Sequence, residues 1–167
     1  MTYRGELSYE LLRELLAYDP DTGIFTWKVD VARNVKAGSV AGSTVGIGYR
    51  NIRIYRLAYR AHRLAWLFMT GKWPIDMIDH INGVRDDNRF ANLREATCEQ
   101  NRRNSGKHAA SGSGFKGVSW KEGRGWRAYI HVQGKQRHLG YFSTPGKAHA
   151  AYVAAAKKYH GEFARFE

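Results

Sequence analysis

The sequence predicts an α+β protein built in two parts, and three observations predict it. Apolar residues recur at helical spacing only in a few short stretches, and these alternate with strand-like runs bounded by turn residues. A Ser- and Gly-rich break at residues 104–114 separates two regions of ordinary composition. Beyond the break, three strand signals follow one another before a single alanine-rich helix. At 167 residues the chain has room for one ordinary domain or two small ones, and an apolar fraction of 43% is enough for a core.

Taken in order, residues 8–18 read as a short amphipathic helix, with Ser8 as N-cap and Leu11, Leu12, Leu15 and Leu16 at helical spacing. Asp19-Pro20-Asp21-Thr22-Gly23 stops it with turn chemistry, and residues 24–27 suit a strand. Gly38, Gly42, Gly46 and Gly48 predict loops or short bulged strands. Residues 49–60 alternate apolar residues with arginine, which predicts a hairpin with one cationic face. Helical patterning resumes over residues 62–70, with Gly71 as a C-cap. Met77-Ile78 suits a strand, Asn82-Gly83 and Asp86-Asp87-Asn88 supply turns, and a second extended piece lies around Asn92-Leu93. Thr97-Cys98-Glu99-Gln100 has capping-box spacing, so a helix should begin at Cys98 and place Asn101 at the end of its first turn.

Residues 105–114 read as a flexible linker; eleven residues from Asn104 to Gly114 span roughly 18 Å on average and about 36 Å at full stretch. Gly112, Gly114 and Gly117 spell G-x-G-x-x-G, but no strand precedes them and no helix follows, which excludes a dinucleotide site. Strand signals then fall at residues 117–120, 126–132 and 137–142, separated by hairpin turns. Thr144-Pro145 opens a helix that runs to His160 and stops at Gly161. Ala148, Ala151, Tyr152 and Ala155 let that helix lie close on the sheet, giving a small β-β-β-α module.

Lys and Arg outnumber Asp and Glu by 27 to 15, and the excess is uneven: residues 109–167 hold ten cations against three anions. A basic stretch dense in Trp and Tyr suits a polyanion whose bases or sugars also need apolar contact. Cys98 is the only cysteine, so a disulfide within the chain and a Cys-rich zinc site are excluded, which fits a reducing, intracellular setting. The N-terminal residues, with Arg4 and Glu6, show no apolar signal-peptide core, and the longest apolar run, residues 64–69, is too short to span a membrane.

The chemistry gathers around Asp79-His80. A carboxylate, an adjacent imidazole and two spaced amides, Asn92 and Asn101, can hold one hard metal ion beside a general base, the equipment for cutting a phosphodiester. His80 to Asn92 is 12 residues and Asn92 to Asn101 is 9. Asp79-His80-Ile81-Asn82-Gly83, Asn88, Asn92-Leu93-Arg94 and Asn101 resemble the HNH endonuclease motif in the variant that ends in Asn. His62-Arg63-Leu64-Ala65 is similar to the segment leading into such motifs in phage homing endonucleases. The resemblance implies a ββα-metal (His-Me finger) fold over residues 61–104; the residue pattern places a helix-and-hairpin region over residues 1–60 before it. The same resemblance implies His80 as general base, Asp79 and Asn101 as ligands of one Mg²⁺ or Mn²⁺ per active site, and Asn92 as a brace that orients His80. The expected products are a 5′-phosphate and a 3′-hydroxyl. His62 lies outside the triad spacing and reads as structural before it reads as a phosphate contact.

Residues 115–167 carry a second resemblance. Phe115-Lys116-Gly117-Val118, Trp126-Arg127-Ala128-Tyr129-Ile130, Leu139-Gly140-Tyr141-Phe142-Ser143-Thr144 and Ala148-His149-Ala150-Ala151-Tyr152 resemble the Apetala-two/ethylene-response-factor DNA-binding domain, which lays a three-stranded sheet in the major groove. By position, Lys116, Ser119, Trp126, Tyr129, His131, Arg137 and His138 would face DNA, and Lys121, Arg124 and Arg127 suit phosphate contacts. Trp126 and Tyr152 also suit packing between sheet and helix. The expectation is a DNA-cleaving enzyme, monomeric or weakly dimeric, acting on double-stranded DNA in the cytoplasm of a phage-infected bacterium with no membrane partner. The rival expectation is a sequence-specific DNA-binding regulator without catalysis.

Overall fold

The computed structural model describes residues 7–106 and 112–166. Contacts divide the chain into two compact units, Met1–Thr97 and Cys98–Glu167. Residues 1–6, where the signal-peptide reading falls, and residues 107–111, the middle of the expected linker, lie outside the described residues. Among the described residues no helix is long and apolar enough to cross a membrane.

In the first unit, α1 (Tyr9–Leu15) starts where Ser8 caps it: the Ser8 hydroxyl accepts the Leu11 N–H at 3.2 Å. The helix is shorter than its leucine pattern predicts. Leu16–Asp19 leaves it to form β1, which pairs antiparallel with β2 (Ile24–Trp27). Leu16 and Tyr18 are buried while Ala17 and Asp19 are exposed, so strand alternation takes over from the helical repeat as soon as a partner strand is present. The Asp19 carboxylate secures the turn between them, accepting from the Asp21 N–H at 2.9 Å and the Thr22 hydroxyl at 2.8 Å.

A three-stranded antiparallel sheet follows, β3 (Ser43–Val45), β4 (Tyr49–Ile54) and β5 (Leu57–Arg60), with β4 in the middle. The single cationic face expected of this hairpin is not formed. Register pairs Asn51 with Arg60 and Arg53 with Ala58, which puts Arg53 and Arg60 on one face. Arg50 falls on the other, with Ile52 and Ile54, where its guanidinium meets Asp86 at 2.9 Å. α2 (Ala61–Thr70) ends at Gly71, whose φ of 73° supplies the left-handed cap. Last in the unit come β6 (Met77–His80) and β7 (Leu93–Ala96), an antiparallel pair joined by a loop that closes in a 3-10 turn at Phe90–Asn92. One core ties these pieces together: Leu12, Leu16, Phe25, Ile52, Leu64 and Leu67, with Ile78 and Leu93 from the β6–β7 pair. Burying each such side chain contributes about 1.5–3 kcal/mol, so the N-terminal elements are part of the framework that holds Asp79 and His80.

The second unit begins with α3 (Cys98–Asn104), which packs on the 3-10 turn Gly161–Phe163. β8 (Val118–Lys121), β9 (Gly125–Val132) and β10 (Lys135–Phe142) form an antiparallel sheet with β9 central. α4 (Pro145–His160) lies across it, capped by the Thr144 hydroxyl, which accepts the Lys147 N–H at 3.3 Å. Val118, Ala128, Ile130 and Val132 from the sheet meet Ala148, Tyr152, Ala155 and Ala156 from the helix. Small residues on α4 permit the close approach, and Gly117 extends it: a Cβ there would lie 2.3 Å from the Tyr152 ring.

Candidate active site

Asp79 and His80 end β6 side by side, each only 4% exposed. Ile78, Asp79 and His80 are buried in succession, so both faces of the end of β6 are covered. The His80 ring is enclosed by other rings: His62 stands edge-on with centroids 5.0 Å apart, and Tyr49 lies at 5.9 Å. Asn88, 1% exposed, brings its Oδ1 to 3.5 Å from His80 Nε2. The Asn88 amide nitrogen donates to the Asp86 carbonyl at 3.0 Å, so the amide orientation is set and an oxygen faces the imidazole. The proton of a neutral His80 therefore belongs on Nε2, and the lone pair on Nδ1.

Asn88 is itself held from the N-terminal hairpin. The Tyr18 hydroxyl donates to the Asn88 carbonyl at 2.6 Å, and the Phe90 N–H donates to the Pro20 carbonyl at 3.1 Å. Asn92 ties down the other end of the loop. Its Oδ1 accepts the Asn82 N–H at 3.0 Å, and its amide nitrogen donates to Asn82 Oδ1 at 3.0 Å and to the Asp87 carbonyl at 2.8 Å. The backbone adds Ile81 N–H to the Asn92 carbonyl at 2.9 Å, next to His80.

Burial pulls the His80 imidazole below its ordinary range, against the opposing pull of the Asn88 contact and the Asp79 carboxylate. His62 is lowered to about 3, by burial first and then by the neighbouring His80, Arg63 and Arg60. Both rings are accordingly neutral at pH 7. Asp87 is held down to about 2, chiefly by the Arg89 guanidinium and then by the Asn82 amide.

Asp79 faces Arg94 across the strand pair, and the guanidinium Nε and Nη2 both reach Asp79 Oδ2 at 2.9 Å. Asn101 sits on α3, in the second unit. Among the described residues no three His, Cys, Asp or Glu side chains are grouped as metal ligands. One carboxylate with amide oxygens is a poor zinc set. It fits a hard divalent ion that keeps several waters and takes phosphate oxygens from substrate.

Several residues that build this site had no role assigned from the sequence. Arg94, visible in the motif without a role, is opposite Asp79 only through the strand register; Tyr18 reaches Asn88 from 70 residues away, and Tyr49 reaches His80 by core packing. Asn88 was visible as part of the motif, without a role. His62 was expected outside the constellation, and the fold packs it against His80.

In the second unit the expected DNA-facing residues divide. Residues paired across strands share a face, so Ser119, Lys121, Arg127, Tyr129, His131 and His138 lie on the side away from α4. Arg124, in the β8–β9 turn, reaches the Tyr141 hydroxyl at 3.5 Å. Trp126 lies on the α4 side, packed on Val118, Ala128 and Ala148, and Arg137 on that side stacks over the Tyr159 ring of α4 at 5.2 Å. Lys116 is turned inward: its Nζ donates to the Arg103 carbonyl at 2.6 Å and the Ser105 carbonyl at 2.5 Å, and burial pushes the amine down to about 8. Tyr152 packs between sheet and helix as expected. A cavity of about 850 Å³ in this unit is lined by Arg102, Arg103, Ser119, Tyr129 and His131 among others.

Residues 59–103 match the family described as HNH endonuclease, a span that contains Asp79, His80, Asn88, Asn92 and Asn101. Over 112 residues the chain is 34% identical to Protein 3.8 of Escherichia phage T7, covering 65% of this chain and 91% of that protein. No solved structure matches the chain. A third of the residues shared across nine-tenths of the phage protein, with an HNH match centred on the buried Asp79-His80 pair, establishes that the chain belongs to the family of phage T7 Protein 3.8 and that its residues 59–103 are an HNH endonuclease domain.

Proposed function

We propose that the protein is a metal-dependent HNH endonuclease that hydrolyses phosphodiester bonds in double-stranded DNA. The observation that carries this reading is His80: a buried, neutral imidazole whose Nε2 is directed at Asn88 Oδ1, beside a carboxylate on the same strand. A neutral imidazole with its lone pair on Nδ1 is equipped to take a proton from an attacking water. Asn88 holds the ring in that tautomer, Asn92 holds the loop that presents it, and Arg94 fixes the orientation of the Asp79 carboxylate. Asp79 and Asn101 would hold one Mg²⁺ or Mn²⁺, which when bound supplies charge stabilisation for the phosphate and the leaving oxygen. With water as nucleophile and the 3′ oxygen as leaving group, the products are a 5′-phosphate and a 3′-hydroxyl.

The second unit is proposed as the DNA anchor, an Apetala-two-like module that lays its sheet in the major groove. Its face away from α4, with Ser119, Lys121, Arg127, Tyr129, His131 and His138, supports this role. Trp126 and Lys116 support the module from within, and the exposed Arg137 braces α4 through the Tyr159 ring. One HNH motif per chain suits a monomeric nickase, with double-strand cutting left to a weak dimer or two binding events. A homing-type role in the cytoplasm of an infected bacterium is proposed alongside; the phage origin of the relative supports the setting.

A supercoiled plasmid tests the reading. Wild-type protein should relax or linearise it with Mg²⁺ or Mn²⁺ and not with chelator. His80→Ala should lower the rate by about 10²–10⁴-fold, the usual worth of a general base, while DNA binding persists. A wild-type protein that binds DNA tightly and never cuts under any divalent ion is a binding protein, and the nuclease reading fails.

A further inference from the structure

Around Tyr49, next to His80, the first unit gathers cations that no carboxylate among the described residues answers. The Arg60 guanidinium lies 4.8 Å above the Tyr49 ring and that of Arg85 lies 5.2 Å from it. Tyr49 in turn contacts His62 at 5.3 Å and His80 at 5.9 Å. Among the described residues neither Arg60 nor Arg85 forms an ion pair. Nearby acids are committed elsewhere: Asp86 to Arg50 and Thr44, Asp87 to Arg89 and Asn82.

Two buried polar atoms in the cluster are also unanswered. Among the described residues Arg60 Nη1 and His62 Nδ1 have no hydrogen-bond partner although both are removed from solvent, and His62 as a whole is 8% exposed. Buried polar groups are paired as a rule, because an unpaired one costs about 1–3 kcal/mol. The same residues begin α2. Arg60 is its N-cap and makes no side-chain cap, and the first turn contains no acid. A helix start normally favours negative charge, so an uncapped one flanked by arginines runs against the dipole unless an anion is supplied from outside.

We propose that Arg60, His62 and Arg85 form a seat for a phosphate of the DNA strand, presented to His80 and resting on the aromatic platform of Tyr49. Arg60 and Arg85 supply the charge. His62, in the tautomer protonated at Nδ1, supplies a neutral donor that fixes the orientation of the phosphate. These are positioning residues, separate from His80 as base and from Asp79 and Asn101 as ion ligands. The choice of anion rests on the nuclease reading; the cationic seat itself rests on the geometry above.

The test uses the full chain and a labelled DNA duplex, with binding measured against salt in chelator and cleavage measured in single turnover at saturating protein. Arg60→Gln and Arg85→Gln should each flatten the slope of log binding constant against log salt by about one unit and slow cleavage about 10-fold. Arg85→Lys should restore the slope without the full rate, since an ammonium keeps the charge and loses the planar fork. Arg33→Gln, the same loss of charge on an exposed loop outside the cluster, should do neither. His62→Phe should slow cleavage and leave the slope alone. Arg85 is exposed, so its variants keep the fold, and thermal melts verify that for all of them. If Arg60→Gln and Arg85→Gln bind and cut like Arg33→Gln while wild type cuts, the seat is wrong and the nuclease reading stands. If wild type never cuts but the two slopes flatten, the nuclease reading is wrong and the seat stands.

Discussion

His62 shows how one side chain can link the site to the stability of its unit. It is buried on the inner face of α2 and its imidazole is driven from an ordinary 6.5 to about 3, chiefly by burial. Unfolding exposes it, so the unfolded chain binds a proton between pH 6.5 and 3 that the folded chain refuses. The contribution is complete above about pH 6.5 and drains away as pH falls toward 3. Urea denaturation between pH 7 and pH 4 should show stability falling as acid is added, and His62→Gln should flatten that fall. An unchanged acid limb would mean that the ring is already accessible to protons in the folded protein. Asn88 works at the same scale through orientation: two hydrogen bonds decide which nitrogen of His80 carries the lone pair. Its neighbour Tyr18 keeps a protonated hydroxyl as donor, because burial pushes that group up.

At the scale of elements, the β1–β2 hairpin acts as a strut for the loop that carries Asn88. Gly23, with φ +73°, passes so close that an added Cβ would lie 2.5 Å from the Arg89 nitrogen and the Asn88 carbonyl carbon. Only backbone stands in the way there, so a side chain cannot be accommodated by a rotamer change. Gly23→Ala should therefore cost about 2–3 kcal/mol, from the left-handed conformation and the clash together, and displace Asn88. The measured signature would be a lower denaturation midpoint together with slower cleavage at saturating DNA. A loss of stability with full catalytic rate would show that the strut supports the fold and not the His80 orientation. The cross-strand pair Asp79–Arg94 is the complementary element-scale device, since strand register alone puts a guanidinium opposite the carboxylate.

For the whole molecule, the division of the chain matters more than its charge. α3, which carries Asn101, has only seven residues and is too short to persist alone. It draws its support from the second unit, through the Gly161–Phe163 turn and through Lys116, whose ammonium is hydrogen-bonded to carbonyls at the end of the helix. Deleting residues 109–167 should consequently do two things. Binding should weaken and its salt slope should flatten by several units, because the cations proposed to neutralise DNA phosphates are lost. Cleavage at saturating protein should fall as well, because α3 loses its support, and circular dichroism should register the lost helix. A truncated protein that cuts at the full rate once bound would show that α3 needs nothing from the second unit.

Much of this was legible in residues whose signal is local. Ser8, Gly71, Thr144-Pro145 and Gly161 mark helix ends by their own capping chemistry, and the three strands and helix of residues 118–160 follow from turn residues and alternation. Asp79, His80, Asn92 and Asn101 stood out because their spacing is a property of the linear chain. What local pattern could not supply was the third dimension. The leucine repeat over residues 8–18 implied a longer helix, and a strand partner eight residues on cut it short. The arginines of residues 49–60 promised one cationic face, and register split them between two.

The sequence by itself determined the chemistry available: a carboxylate beside an imidazole, spaced amides, a basic C-terminal half and the order of elements. Tertiary structure decided which groups are neutral, which are paired and which way they face. It alone put Arg94 on Asp79, Asn88 and Tyr49 around His80, and Arg60, His62 and Arg85 in one cluster. Burial, ring contact and cross-strand register depend on residues far apart in the chain, and no local pattern encodes them.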